Sequence, residues 1–145
     1  MLKGILSISG QSGLFKMVAE SKNNIIVESL ETLKRMPFHS TSKISALEDI
    51  AIYTETAEIP LKNVFKAISD NENGGQAISS KSTVNELKSY FEKIVPEYDK
   101  GRVYISDIKK VLLWYNILQE KELLDFSEMD QESKETESEQ FESKE

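Results

Sequence analysis

Gly13-Leu-Phe-Lys-Met-Val-Ala-Glu20, the polar cluster Ser21-Lys-Asn-Asn24 and Ile25-Ile-Val-Glu-Ser-Leu30 decide how the first half of the chain is read. Two β-branched or alternating runs stand either side of a turn signal, the pattern of an antiparallel hairpin. Phe15, Met17 and Ala19 alternate with Lys16, Val18 and Glu20, as expected of a half-solvated strand. Working outward, Gly4–Ser9 is a third run, joined to the hairpin by Gly10-Gln-Ser-Gly13. On the other side Glu31–Lys34 makes a turn into Arg35–His39. Pro37 lacks a backbone donor there and marks an edge or bulged strand. Asp49–Thr54, with Ile50 and Ile52 two apart, completes five strands. Five short strands are enough to close an SH3-like barrel, which removes exposed edges.

The period then changes. Leu61, Val64, Phe65 and Ile68 follow helical spacing behind Pro60, predicting a short helix that covers the barrel. Residues 69–82 are mostly Asp, Asn, Glu, Gly, Ser and Lys, a flexible linker by composition. Beyond them, Val84, Leu87, Phe91 and Ile94 form the stripe of a second helix, with Ser82 as its N-cap and Pro96 at its end. A turn at Asp99-Lys-Gly101 and a short apolar stretch, Val103–Ile105, lead to a third helix with Ser106 as N-cap. It carries Ile108, Val111, Leu112, Tyr115 and Leu118 on one stripe, with Leu113, Trp114 and Ile117 beside it. That surface is wider than one partner helix covers. The expected organisation is therefore α+β: a barrel domain at 1–68, a linker at 69–82, a helical domain at 83–126 and an acidic tail at 127–145.

The 145 residues carry a net charge of −7, and it is unevenly spread. Eight acids against Lys134 and Lys144 put −6 in residues 127–145, leaving a nearly neutral body. A segment of Glu, Ser, Gln and Lys with only Met129 and Phe141 as large apolar groups reads as a disordered acidic tail. The amino terminus lacks the continuous apolar run of a signal peptide, and the longest such run, Val111–Tyr115, is too short to span a bilayer. The expectation is a soluble cytoplasmic protein away from membranes.

Chemistry is sparse. With no cysteine, thiolate metal sites and cysteine nucleophiles are excluded. His39 is the single imidazole, and Ser40 and Ser42 beside it lack a nucleophile elbow, so it reads as a structural or solvent-facing residue. Placing Gly101 at the glycine of an EF-hand loop puts Pro96 and Lys100 at ligand positions, which rules against calcium. Glu48 and Asp49 diverge on an extended chain and read as turn acids rather than a catalytic pair. No phosphate-binding glycine motif is present, and Gly10–Gly13 reads as a hairpin turn. No cofactor or metal is expected.

Leu2–Gly10, Ile26–Leu30 with Lys34–Phe38, Ser45–Thr54 and Arg102–Lys110 through Trp114-Tyr-Asn116 resemble a family of two-domain cytoplasmic proteins from Bacteroidota with a domain of unknown function. The resemblance covers residues 1–120. It implies a β-rich amino-terminal part and a helical carboxy-terminal part, and carries over no activity. That family has glycine near position 33, where this chain has Leu33, which implies a differently built turn before Arg35.

These readings lead to a non-catalytic interaction or adaptor protein, with homodimerisation through Leu113, Trp114 and Ile117 expected from the excess apolar width. The alternative is weak single-stranded nucleic-acid binding by Lys16, Lys34 and Arg35 on the barrel, where the near-neutral charge limits affinity. Lys100, Arg102, Lys109 and Lys110 form a smaller basic patch, one the acidic tail could cover.

Overall fold

The computed structural model describes residues 2–11, 13–39 and 41–126. In chain order run β1 (Ile5–Ile8), β2 (Phe15–Glu20), β3 (Asn24–Ser29), β4 (Arg35–His39), β5 (Ile44–Ala46), β6 (Ala51–Tyr53), β7 (Glu58–Pro60), α1 (Leu61–Glu72), α2 (Val84–Ile94) and α3 (Ile105–Glu120). A 3-10 turn at Leu47–Asp49 joins β5 to β6. The expected disordered tail, 127–145, lies outside the described residues.

β1 to β5 form one antiparallel sheet in the order β4-β3-β2-β1-β5. β4 and β5 do not pair with each other, so the sheet is open and the expected closed SH3-like barrel is corrected. The fifth strand is also a different segment. Ile44–Ala46 pairs with β1, whereas from Asp49–Thr54 only Ala51–Tyr53 is strand, and it pairs with β7 in a separate two-stranded sheet. Burial is the physical reason: Ile52 packs into the core around the helices, and an isolated bridge ties Thr54 to Tyr98.

The five-stranded sheet buries its inner face and the β1 end of its outer face. Leu6, Ile8, Phe15, Ile25 and Val27 make a cluster that Met36 and Phe38 of β4 and Ile44 and Ala46 of β5 complete. Side chains from both edge strands meet there, so the sheet curls round its own small core. Phe15 and Phe38 lie edge to face with centroids 6.0 Å apart. On the other face Ile5 joins Leu2, Leu14, Leu30 and Leu47 in a larger core shared with the helices. Each such aliphatic side chain removed from water contributes about 1.5–3 kcal/mol.

α1 belongs to this larger core through Leu61, Val64, Phe65 and Ile68 and runs on to Glu72, four residues into the expected linker. Asn73 (φ 52°) and Gly74 (φ 82°) end it in the left-handed conformation, with the Gly74 amide donating to the Ser69 carbonyl. Residues 74–78 of the expected linker are strapped to α3. The Ala77 amide donates to Asn116 Oδ1 (2.7 Å), Asn116 Nδ2 to the Ala77 carbonyl, Gln119 Nε2 to the Gly74 carbonyl and the Tyr115 hydroxyl to the Gly75 carbonyl (2.7 Å). Their polar backbone is thus satisfied by α3 side chains, and Ala77 is buried. The Tyr90 hydroxyl donates to Glu72 Oε1 from α2; burial first, then Glu72, raises its pKa.

Two N-caps differ from expectation. Thr83, not Ser82, caps α2, its hydroxyl oxygen accepting from the Glu86 amide. α3 starts at Ile105 after Tyr104 rather than at Ser106, and Asp107 Oδ2 accepts from the Tyr104 amide (2.9 Å). Ile108, Val111, Leu112, Trp114, Tyr115, Ile117 and Leu118 of α3 are all buried. Trp114 and Ile117, two of the three residues expected at a dimer surface, are buried in the chain's own core, and half-buried Leu113, the third, packs against it. The helix is wide in apolar residues because neighbours within the chain cover it on more than one side. Among the described residues no helix is long and apolar enough to cross a membrane.

Candidate functional site

The outer face of the sheet has two halves. On β2–β4, Lys16 stands opposite Glu28 and Glu28 opposite Arg35 in the strand register, so an acid lies between the two cations. Arg35 Nε donates to Glu28 Oε1 at 3.4 Å. Lys34 is exposed in the preceding turn, where its amide donates to Thr32 Oγ1. Lys16 and Arg35 therefore share a surface, on which Glu28 offsets one of their two positive charges.

The β1–β5 half faces the helical body across a cleft of about 410 Å³, within the size range of ligand sites. The alternation that buries Leu6 and Ile8 on the inner face turns Ser7 to the outer one, directly opposite Ser45 of β5 in the register. Ser7, Ser9, Ser45 and Lys43 form the sheet-side wall. The Ser9 amide donates to the Lys43 carbonyl (2.9 Å) and extends this pairing past the end of β5. Asp107, Lys110, Val111 and Trp114 of α3 form the facing wall, and Ile50, Ile52 and Val103 add apolar lining.

One end of the cleft is fixed by Arg102. Its guanidinium lies 4.4 Å above the Tyr53 ring, donates through Nε to Asp99 Oδ2 (2.8 Å) and through Nη2 to the Thr54 carbonyl (3.3 Å). Asp99 Oδ1 accepts from the amides of Gly101 and Arg102, closing the turn. The Arg102 hydrogen bond, then the Gly101 amide, hold the Asp99 carboxyl below its ordinary pKa. Arg102 thus has its counter-charge. Lys43 and Lys110 form no ion pair among the described residues, and Asp107 already accepts from Tyr104. The cleft presents two ammonium groups without ion pairs among the described residues, one per wall, with the Asp107 carboxylate beside them, above serine hydroxyls and an apolar lining.

Other candidate residues lie elsewhere. His39 is exposed on β4, its Nδ1 accepting from the Thr41 amide and contacting Thr41 Oγ1 (2.9 Å), so the ring closes the β4–β5 turn. Glu48 and Asp49 are exposed in the 3-10 turn. Among the described residues no cluster of histidine and acidic side chains is placed to hold a metal ion. Sequence reasoning singled out Arg102 and Lys110 but missed the serines and Lys43 as their neighbours. The local signal was Ile5-Leu-Ser-Ile-Ser9, where serine recurs at positions that would otherwise point apolar groups at the helices.

Comparison with known proteins divides the chain at the same 3-10 turn. Residues 2–47 match a domain of unknown function (DUF5606), and residues 50–118 match another (DUF6852). No curated protein matches. A solution NMR structure of a protein from Bacteroides vulgatus is similar with 43% identity and a TM-score of 0.73, covering 87% of this chain and 91% of that one. With sheet and helical body each matched by its own domain and the identity running through both, the chain belongs to this family of two-domain Bacteroidota proteins.

Proposed function

We propose that the chain is a non-catalytic cytoplasmic interaction protein whose cleft receives an acidic segment of a protein partner, anchored by an apolar side chain. The observation that carries this reading is the placement of Lys43 and Lys110 on facing walls, without ion pairs among the described residues, around an apolar lining that includes Trp114. Carboxylates of the bound segment would accept from the two ammonium groups and from Ser7 and Ser45, while the anchor displaces water from Ile50, Ile52 and Val103. Single-stranded nucleic acid on the sheet face is less favoured, because Glu28 repels phosphate from between Lys16 and Arg35.

Trp114 is the single tryptophan and lines the cleft, so its fluorescence reports occupancy. A glutamate-rich peptide with a central phenylalanine is expected to bind saturably at low salt. Lys43→Glu combined with Lys110→Glu should weaken it by on the order of tenfold or more. An unchanged affinity in that double variant, or saturable binding of an RNA oligonucleotide lost in Lys16→Glu with Arg35→Glu, would overturn the reading.

A further inference from the structure

The chain itself carries a segment of that chemistry. Glu137-Ser-Glu-Gln-Phe-Glu-Ser143 sets one aromatic anchor, Phe141, between Glu139 and Glu142, in a segment carrying −6 over its last 19 residues. The cleft needs an apolar anchor with flanking carboxylates, and Phe141 is the one aromatic residue of the acidic segment. Phe126, the last described residue, packs beside the helical core with Lys66 Nζ 5.7 Å from its ring centroid. Phe141 lies fifteen residues further along the chain, and an extended chain of that length reaches about 50 Å. That exceeds the length of α3, about 24 Å at 1.5 Å per residue.

We propose that the acidic segment around Phe141 occupies the cleft of its own chain and competes there with the acidic segment of a partner. This rests on the reading of the cleft as a site for acidic segments and adds its regulation. Tethering presents the segment to the cleft at an effective concentration of about 1 mM, so a weak intrinsic affinity suffices. A tether at ~1 mM and an intrinsic dissociation constant of ~0.1 mM lower the apparent affinity for an outside segment by on the order of tenfold. A partner with a stronger anchor or more carboxylates would displace it, and salt would release it, since charges on an open cleft are screened.

The test uses the full chain and a full-length variant with Glu135, Glu137, Glu139 and Glu142 changed to Gln and Phe141 changed to Ala. All five positions lie beyond the described body. The probe is a synthetic peptide of residues 135–145, followed by Trp114 fluorescence and by the amide resonances of Ser7 and Ser45. The variant is expected to bind the peptide about tenfold more tightly than the natural chain at low salt, with the difference vanishing at high salt. Equal affinity in the two chains would overturn the competition while leaving the cleft reading intact. Failure of the peptide to bind either chain or to move the Ser7 and Ser45 amides would overturn both. A spin label at Ser138→Cys, the one cysteine of that chain, separates own-chain from between-chain occupancy. Broadening of the Lys110 amide must survive dilution, and loss on dilution contradicts the proposal.

Discussion

The two halves of the sheet's outer face use the same residue types to different ends. On β2–β4 the face is open to solvent, Ile26 is 40% exposed, and Lys16, Glu28 and Arg35 alternate in sign across three strands. On β1–β5 the face lies under the helical body, Ile5 is buried, and Lys43 faces Lys110 across a cleft. A cation beside a cross-strand acid contributes solubility and a few tenths of a kcal/mol. A cation held beside apolar walls without an ion pair is available to a ligand. Counting charges cannot distinguish these two surfaces, since each sets one acid, Glu28 or Asp107, beside two cations; the enclosing apolar walls do.

The largest expected contrast is in packing. Trp114→Ala removes a side chain 7% exposed between cleft and core and should cost about 3–5 kcal/mol, whereas Ile26→Ala on the open half should stay within about 1 kcal/mol. Urea unfolding of both variants measures this. Equal losses would mean that the open half is covered in solution.

A smaller effect belongs to the turns. Gly10 (φ 84°) and Gly13 (φ 87°) hold the left-handed positions between β1 and β2, but the turn between β3 and β4 puts Leu33 at φ 61° with 66% of its surface exposed. Leucine there is strained by about 1–2 kcal/mol and gains little burial. The resemblance implied a different turn; the backbone instead adopts the conformation that glycine prefers, with leucine in place. Leu33→Gly should stabilise the chain by about 1 kcal/mol after the added backbone entropy of glycine, read as a raised urea midpoint.

The smallest effect concerns pH. Asp99 has its pKa lowered in the folded chain, so its contribution is present above the ordinary aspartate value of 3.8 and fades as pH falls through the lower folded value. Asp99→Asn should flatten stability against pH in that acid range and release Arg102 from its place over Tyr53. An unchanged acid slope would show that Arg102 is held by Tyr53 and Thr54 alone.

The first four strands were legible because alternation and turn chemistry are local: Asn24–Ser29 and Arg35–His39 lie where their residues put them, and Pro37 sits on the edge strand β4. Partner choice is not local. Ile50 and Ile52 announce a strand, but nothing near them says that it pairs with Glu58–Pro60. Ile44–Ala46 and Glu58–Pro60 are three residues each, too short to show a period. Residues 69–82 read as a linker because their composition cannot build a core, and only the fold brings Asn116 to Ala77. The cleft was legible in pieces. Arg102 and Lys110 stood out as a basic patch, but Lys43 is far from Lys110 along the chain, and Ser7 meets Ser45 only through the β1–β5 register.

The most direct test of the cleft is an amide chemical-shift map of the full chain titrated with the glutamate-rich, phenylalanine-bearing peptide. Saturable shifts are expected at Ser7, Lys43, Ser45 and Lys110, absent when Lys43 and Lys110 are both glutamate. Shifts gathered instead at Lys16, Ile26 and Arg35, with the cleft amides unmoved, would contradict that expectation.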